Sequence, residues 1–123
     1  MERRILIIDD NAPLCEALKD RLEAVGYSVL VAHDGRTGLA LMALEVKQAP
    51  IGGVLLDMHM PIMDGMQVLR ELRARHDHVS VVMMTSDPDP RVRDQAFALG
   101  VRHYLAKPFD ATLLVQICAQ TFP

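Results

Sequence analysis

The amino-acid sequence lacks the features by which many proteins bind nucleic acid or membranes. It has no tryptophan, two tyrosines and three phenylalanines, so few side chains are available for stacking against single-stranded nucleic acid. Thirteen Lys and Arg residues stand against sixteen Asp and Glu residues, which gives a formal net charge of -3. Without a positive excess, general affinity for nucleic acid or for an anionic membrane is disfavoured. We therefore expect neither among the direct partners.

Long hydrophobic runs and metal-binding cysteine patterns are also absent. The apolar run Ile5–Ile8 stops at Asp9, which is too short for a signal peptide or a membrane span. The two cysteines, Cys15 and Cys118, do not have the spacing of a metal site. Each lies in an apolar, helix-like stretch, so we expect reduced, packed thiols in a cytoplasmic protein.

The size and composition are those of one soluble globular domain. The chain has 123 residues, of which 50% are hydrophobic and 24% charged. A chain of this length buries roughly two thirds of its unfolded surface, so a core forms without disulfides or metals. No linker, low-complexity tract or internal repeat interrupts the sequence, and we expect residues 1–123 to form one domain.

Short apolar runs alternate with longer amphipathic stretches along the chain. The runs are mostly continuous hydrophobic residues, as in buried parallel strands. The predicted strands are Ile5–Ile8, Tyr27–Ala32, Val54–Leu56, Val79–Met84 and Val101–Leu105. The predicted helices follow Asn11, span Thr37–Lys47, open at Asp64 with Gly65, span Pro90–Leu99 and follow Asp110. In the first, Leu14, Leu18, Leu22 and Val25 recur near a 3.6-residue period. Five such repeats predict an α/β sheet with helices on both faces.

Polar side chains gather where the predicted strands end. Open parallel sheets bind ligands beyond these carboxyl ends. The residues there are Asp9, Asp10, Asp57, Thr85, Ser86 and Lys107. Each alone has an ordinary structural explanation, such as capping the next helix. Their joint placement at four strand ends indicates a site where a chemical reaction takes place.

A cluster of carboxylates requires electrostatic compensation. Two carboxylates about 4 Å apart repel by roughly 4 kcal/mol at an effective dielectric constant near 20, so either their pKa values separate or a metal neutralises them. Oxygen ligands without clustered histidine or cysteine suit Mg²⁺ or Mn²⁺, which also accepts a phosphate oxygen. A carboxylate can then attack a phosphoryl group while the metal and a lysine offset its charge.

Four motifs spread along the chain agree with a carboxylate that accepts a phosphoryl group. They are Ile7-Ile8-Asp9-Asp10-Asn11, Leu55-Leu56-Asp57-Met58-His59-Met60-Pro61-Ile62-Met63-Asp64-Gly65, Met84-Thr85-Ser86 and Tyr104-Leu105-Ala106-Lys107-Pro108-Phe109. In this order and spacing, the sequence resembles the receiver domain of two-component response regulators, including the single-domain chemotaxis type. The resemblance implies a flavodoxin-like (βα)5 fold, doubly wound, with a five-stranded parallel sheet in the order 2-1-3-4-5.

The resemblance also implies roles for individual residues. Asp57 would be the phosphoacceptor, taking a phosphoryl group from the phosphohistidine of a sensor histidine kinase or a phosphotransfer protein. The ligands of Mg²⁺ or Mn²⁺ would be Asp9, Asp10, Asp57 and the backbone carbonyl of His59. The phosphoryl-binding and switch residues would be Thr85, Ser86, Lys107 and Tyr104. Lys107 would pair with Asp57, and Tyr104 would rotate inward as the Thr85 hydroxyl turns to the phosphoryl group.

The implied output surface comprises the fourth helix, fifth strand and fifth helix, which would regulate a partner protein or output domain. In the fifth helix, Leu114, Cys118 and Phe122 predict a core stripe. Leu113 and Ile117 form a second apolar stripe. Exposure of the second stripe would favour a homodimer or an interdomain contact. A slightly rotated helix that buries both stripes is the alternative.

Two other functions compete with a signalling switch that is not an enzyme. A Mg²⁺-dependent aspartyl-phosphate phosphatase of the haloacid-dehalogenase type would place Asp-x-Asp at its first strand, a pattern that Asp9-Asp10-Asn11 does not match. A pseudo-receiver that only scaffolds partners is disfavoured because the acidic pair, acceptor, threonine and lysine are all present. A nucleotide-binding domain is set aside because no glycine-rich loop follows the first strand.

Overall fold

The computed structural model describes residues 3–45, 50–75 and 77–122, and strands and helices alternate along this part of the chain. The strands are β1 (Arg3–Ile8), β2 (Tyr27–Ala32), β3 (Gly53–Asp57), β4 (Ser80–Thr85) and β5 (His103–Ala106). The helices are α1 (Ala12–Ala24), α2 (Gly35–Glu45), α3 (Gly65–Ala74), α4 (Pro90–Ala98) and α5 (Ala111–Thr121). None of these helices has both the length and the apolar character needed to cross a membrane.

The strands form one parallel sheet in the order β2-β1-β3-β4-β5. The central strand β3 is buried along its whole length. One core packs α2, α3 and α4 against one face of the sheet, and a second core packs α1 and α5 against the other. The predicted flavodoxin-like fold, with helices on both faces, is therefore confirmed.

The predicted helix starts are confirmed at three capping residues. The side chains of Asn11, Asp64 and Asp110 accept hydrogen bonds from the first-turn amides of α1, α3 and α5. The second helix begins at Gly35, two residues before the prediction, because the side chain of Asp34 accepts from the amide of Thr37. The predicted end of this helix, Lys47, lies outside the described residues.

The helix faces differ from the expected pattern at two places. Val25 is the C-cap of α1 and is 48% exposed, because the helix ends at Ala24 and its buried residues are Cys15, Leu18 and Leu22. Ile117 is only 8% exposed and joins the core between α1 and α5, whereas Leu113 is 44% exposed. The fifth helix is therefore rotated so that the second apolar stripe is half buried.

Gly53 at the start of β3 has a packing role that the sequence analysis did not identify. A Cβ atom at this position would overlap the ring of Phe122. Phe122 is the C-cap of α5, and it is 4% exposed. The glycine therefore lets the end of α5 lie directly against the central strand.

Candidate functional site

The candidate site lies at the carboxyl edge of the sheet, where the parallel strands end. Asp57 is the last residue of β3, Thr85 is the last residue of β4, and Lys107 follows β5 directly. The Lys107 amide donates to the Thr85 carbonyl at 2.6 Å, which extends the β4–β5 ladder by one step. The parallel register thereby brings residues that are distant in sequence to one place.

Three carboxylates converge at this edge. One oxygen from each of Asp9, Asp10 and Asp57 lies within 4.8 Å of the other two. Asp9 and Asp57 are 0% and 3% exposed, whereas Asp10 is exposed. The predicted acidic cluster is therefore present, with two buried members and one at the surface.

Lys107 joins the two buried carboxylates. Its Nζ atom donates to Asp9 Oδ2 at 2.8 Å and to Asp57 Oδ1 at 3.1 Å. The pairing with Asp57 was predicted from the sequence, whereas the shorter contact with Asp9 was not. One cation thus faces three carboxylates, which leaves the site with an excess of negative charge.

This charge imbalance shifts the protonation of the site. Burial, together with the negative charge of Asp9, raises the pKa of Asp57, although Lys107 and the backbone of His59 act in the opposite direction. Burial acts to lower the pKa of Lys107, but its contacts with Asp9 and Asp57 outweigh that effect and raise it. Lys107 is therefore held in its charged form, and Asp57 is the carboxylate for which ionisation is costly.

Contacts that were not predicted from the sequence hold both the side chain and the backbone of Asp9. The Asn11 amide donates to Asp9 Oδ1 at 2.9 Å, and the Asp9 amide donates to the carbonyl of Ala32 at 3.0 Å. The carbonyl oxygen of Asp9 lies 3.3 Å from the Cys15 thiol and 3.2 Å from Nδ1 of His33. Both cysteines are free and buried, as predicted, and burial raises the pKa of Cys15 to about 11.

Thr85 and Tyr104 lie on the β4–β5 side of the site. Thr85 is fully buried, and its hydroxyl accepts a hydrogen bond from the Asp87 amide at 3.0 Å. Tyr104 is half-buried, and burial raises its pKa. Its hydroxyl has no accessible surface and no hydrogen-bond partner among the described residues. Tyr104 also lines a cleft of about 320 Å³ together with Asp87 and residues of α3 and α4.

The loop after β3 carries His59, which is exposed. The loop returns to the sheet edge where the Gly65 amide donates to the Met58 carbonyl at 2.8 Å. A Cβ atom on Gly65 would overlap the Asp57 carbonyl oxygen, so a glycine is needed for this approach. Ser86, by contrast, is exposed and lines a separate cleft beside Lys107.

The donor atoms of the acidic cluster suit a hard divalent cation. All three side chains offer carboxylate oxygens, and no histidine or cysteine is part of the cluster found among the described residues. Mg²⁺ and Mn²⁺ prefer such oxygen ligands and retain water molecules, which the exposed position of Asp10 allows. The residues present therefore fit the predicted metal.

Comparison with known families agrees with this fold and site. A family model described as the response regulator receiver domain matches residues 5–119. The chain belongs to this family, whose members act in two-component signalling. The motif-based assignment made from the sequence is therefore confirmed.

Individual relatives support the same conclusion. The chain is 39% identical over 112 residues to the transcriptional regulatory protein CpxR of Klebsiella pneumoniae, covering 91% of this chain and 46% of that protein. It is 38% identical over 109 residues to the response regulator MprA of Mycolicibacterium vanbaalenii, covering 89% and 46%. A receiver domain structure from Clostridium thermocellum is 31% identical, with a TM-score of 0.86 and coverage of 96% and 92%. The chain thus spans about half the length of the two curated relatives, CpxR and MprA.

Proposed function

We propose that the protein is a phosphorylation-dependent switch in which Asp57 accepts a phosphoryl group from the phosphohistidine of a histidine kinase or a phosphotransfer protein. The contact of Lys107 Nζ with both Asp57 and Asp9 is the observation that carries this proposal. It gives the buried carboxylate a cationic neighbour at the point where negative charge would accumulate. The protein would act in the cytoplasm and would not turn over any substrate other than its own aspartyl phosphate.

Each residue of the site has a place in this reaction. Asp57 supplies the attacking oxygen, and Lys107 offsets the charge of the phosphoryl oxygens. Asp9, Asp10, Asp57 and the carbonyl of His59 would hold Mg²⁺ or Mn²⁺, which would neutralise further phosphoryl charge when bound. Ser86 is small and exposed, and its side chain would leave room for the phosphoryl group to reach Asp57.

The switch itself would act through Thr85 and Tyr104. The Thr85 hydroxyl accepts from the Asp87 amide, and turning toward a phosphoryl oxygen would exchange that contact for a charge-assisted hydrogen bond. Tyr104 would then move further inward into the space that the threonine leaves. A shift from about 1:99 to 99:1 between two states requires roughly 5.5 kcal/mol of differential stabilisation, which these new contacts must supply.

The surface formed by α4, β5 and α5 would transmit the change to a partner protein or an output domain. Ile117 is buried, and the exposed apolar residues of this surface include Phe97 at 46% and Leu113 at 44%. These two side chains would contribute apolar surface to a homodimer or an interdomain contact.

The proposal is tested by incubating the protein with Mg²⁺ and acetyl phosphate and measuring its mass. We expect one acid-stable, base-labile phosphoryl group per chain, located on Asp57. The Asp57→Asn variant should take up no label, whereas Asp20→Asn, which changes an exposed carboxylate on α1, should be labelled like the native chain.

The competing functions give different results in the same experiment. Continuous release of phosphate with many turnovers per chain would indicate the phosphatase. A chain that takes up no label from acetyl phosphate, or from a panel of purified histidine kinases, would indicate the scaffold. Either result would overturn the proposed switch.

A further inference from the structure

Two side chains bind the backbone carbonyl oxygen of Asp9, and neither belongs to the motifs of the candidate site. Cys15, near the start of α1, places its Sγ atom 3.3 Å from this oxygen. His33, the residue directly after β2, places its Nδ1 atom 3.2 Å from it. Because a carbonyl oxygen can only accept, Cys15 donates its thiol proton and His33 donates from Nδ1. Both lone pairs of the Asp9 carbonyl are thereby engaged.

We propose that Cys15 and His33 are positioning residues for the divalent cation: they hold the peptide group between Asp9 and Asp10 and thereby raise the affinity of the acidic cluster for Mg²⁺. This inference rests on the proposed function, because it concerns the metal of the same site. It goes further in naming two residues outside the set of metal ligands that determine how tightly the metal binds.

The carbonyl of Asp9 belongs to the peptide group that joins two of the three carboxylate residues. This group is planar, and the Asp9 amide on its other side donates to the carbonyl of Ala32. Contacts that fix the carbonyl oxygen therefore also restrain the Cα atoms of Asp9 and Asp10. Asp10 is exposed, so surrounding side chains do little to hold it. The direction of its short side chain depends on the peptide group that Cys15 and His33 hold.

The acidic cluster needs such a restraint because its members repel one another. One oxygen from each of Asp9, Asp10 and Asp57 lies within 4.8 Å of the other two, and like charges at such distances favour moving apart. Mg²⁺ requires a near-ideal octahedral arrangement of its ligands. If hydrogen bonds already hold the carboxylates together, less ordering is needed when the cation binds, and its affinity is higher.

The two donors differ in burial, which allows their hydrogen bonds to be separated from packing. Cys15 is 1% exposed and is part of the core that contains α1 and α5. His33 is exposed, and both residues line a cleft of about 250 Å³ on the α1 and β2 side of the molecule. A substitution at Cys15 therefore alters the core as well, whereas one at His33 removes the hydrogen bond with little change in packing.

The test measures Mg²⁺ affinity by isothermal titration calorimetry in two variants that lose a donor, Cys15→Ala and His33→Leu. We expect each to weaken Mg²⁺ binding about tenfold, which is the lower end of the effect of removing a hydrogen-bond partner around a metal ligand. Cys15→Ser and His33→Asn keep a donor near the same position, since the side-chain nitrogen of asparagine can replace Nδ1. Their affinity for Mg²⁺ should stay close to the native value.

Two matched controls separate the loss of a donor from general effects of the substitutions. Cys118→Ala truncates the other buried cysteine, which lies on α5, and His78→Leu replaces another exposed histidine. Both should bind Mg²⁺ like the native chain. Native affinity in both donor-loss variants, or equal weakening in the variants that keep a donor, would overturn the inference alone. A native chain that binds no divalent cation would refute the metal site of the proposed function as well.

The magnesium dependence of phosphorylation gives a second readout. With acetyl phosphate as the donor, the Mg²⁺ concentration for half-maximal labelling of Asp57 should rise about tenfold in His33→Leu. The rate at saturating Mg²⁺ should stay close to the native rate, because the acceptor and Lys107 are unchanged. A lower saturating rate with an unchanged half-maximal Mg²⁺ concentration would show that His33 does not act through the metal site, and it would overturn the inference.

Discussion

Ile62 lies five residues after the candidate phosphoacceptor and adopts a backbone conformation that is unusual for its type. Its φ is 72°, and the Met63 amide donates to the Pro61 carbonyl at 2.8 Å, which closes a γ-turn around Ile62. A β-branched residue is strained at positive φ. Its side chain is 96% exposed, so no packing offsets that strain. The loop after β3 therefore carries a local energetic cost next to the site.

Replacing Ile62 with glycine should stabilise the protein. Removing the Cβ atom relieves roughly 1–2 kcal/mol of strain, and the greater freedom of glycine in the unfolded chain cancels about 0.5–1 kcal/mol. We expect the free energy of unfolding in urea to rise by about 0.5–1 kcal/mol. Ile62→Val is the control, because it keeps the branched side chain and should leave stability unchanged. A loss of stability in Ile62→Gly would show that the turn is not strained.

The polar residues of the site could be predicted because each is placed by its own strand end. Asp57 and Thr85 end buried strands, and the parallel order then determines that they meet. The shorter contact of Lys107 with Asp9 could not be predicted, because it depends on the conformation that the long lysine side chain adopts in the folded protein. The positive φ of Ile62 leaves no signal in the sequence, since nothing about isoleucine favours it.

Helices and strands were predicted where local chemistry determines them. Asn11, Asp64 and Asp110 each cap a helix through a side-chain oxygen, so their positions are readable in the sequence. The rotation of α5 is not a local property. Ile117 is buried because α5 packs beside α1 on one face of the sheet, and helical periodicity alone cannot distinguish two adjacent apolar stripes.

The contact between β3 and α5 predicts a strong coupling between Gly53 and Phe122. Gly53→Ala should lower the free energy of unfolding by about 2–3 kcal/mol, because the added methyl group overlaps the Phe122 ring. In the background of Phe122→Ala, the same substitution should cost much less, since the ring is gone. Urea unfolding followed by circular dichroism suits this measurement, because the chain has no tryptophan.

The double-mutant cycle provides its own control. An interaction energy of about 2 kcal/mol between the two positions would be expected for residues in direct contact. If the two substitutions are additive, Gly53 is not needed to accommodate the end of α5. The double variant would then be less stable than the native chain by the full sum of the two single costs.

At the scale of the whole molecule, the buried carboxylate of Asp57 makes stability depend on pH. Burial and Asp9 raise the pKa of Asp57, so the folded protein binds a proton there more readily than the unfolded chain does. Stability therefore falls as the pH rises from the ordinary pKa of an aspartate through the raised folded value. Lys107 Nζ contacts both Asp9, at 2.8 Å, and Asp57, at 3.1 Å, and its single positive charge cannot balance both buried carboxylates.

Asp57→Asn should therefore raise the free energy of unfolding at neutral pH, by on the order of 1 kcal/mol, when measured in the presence of a metal chelator. The gain should shrink as the pH is lowered through the folded pKa, because native Asp57 then becomes neutral as well. Asp20→Asn removes an exposed carboxylate on α1 and should leave stability nearly unchanged across the same range. A gain for Asp57→Asn that is constant from neutral to acidic pH would mean that it arises from packing rather than from the buried charge.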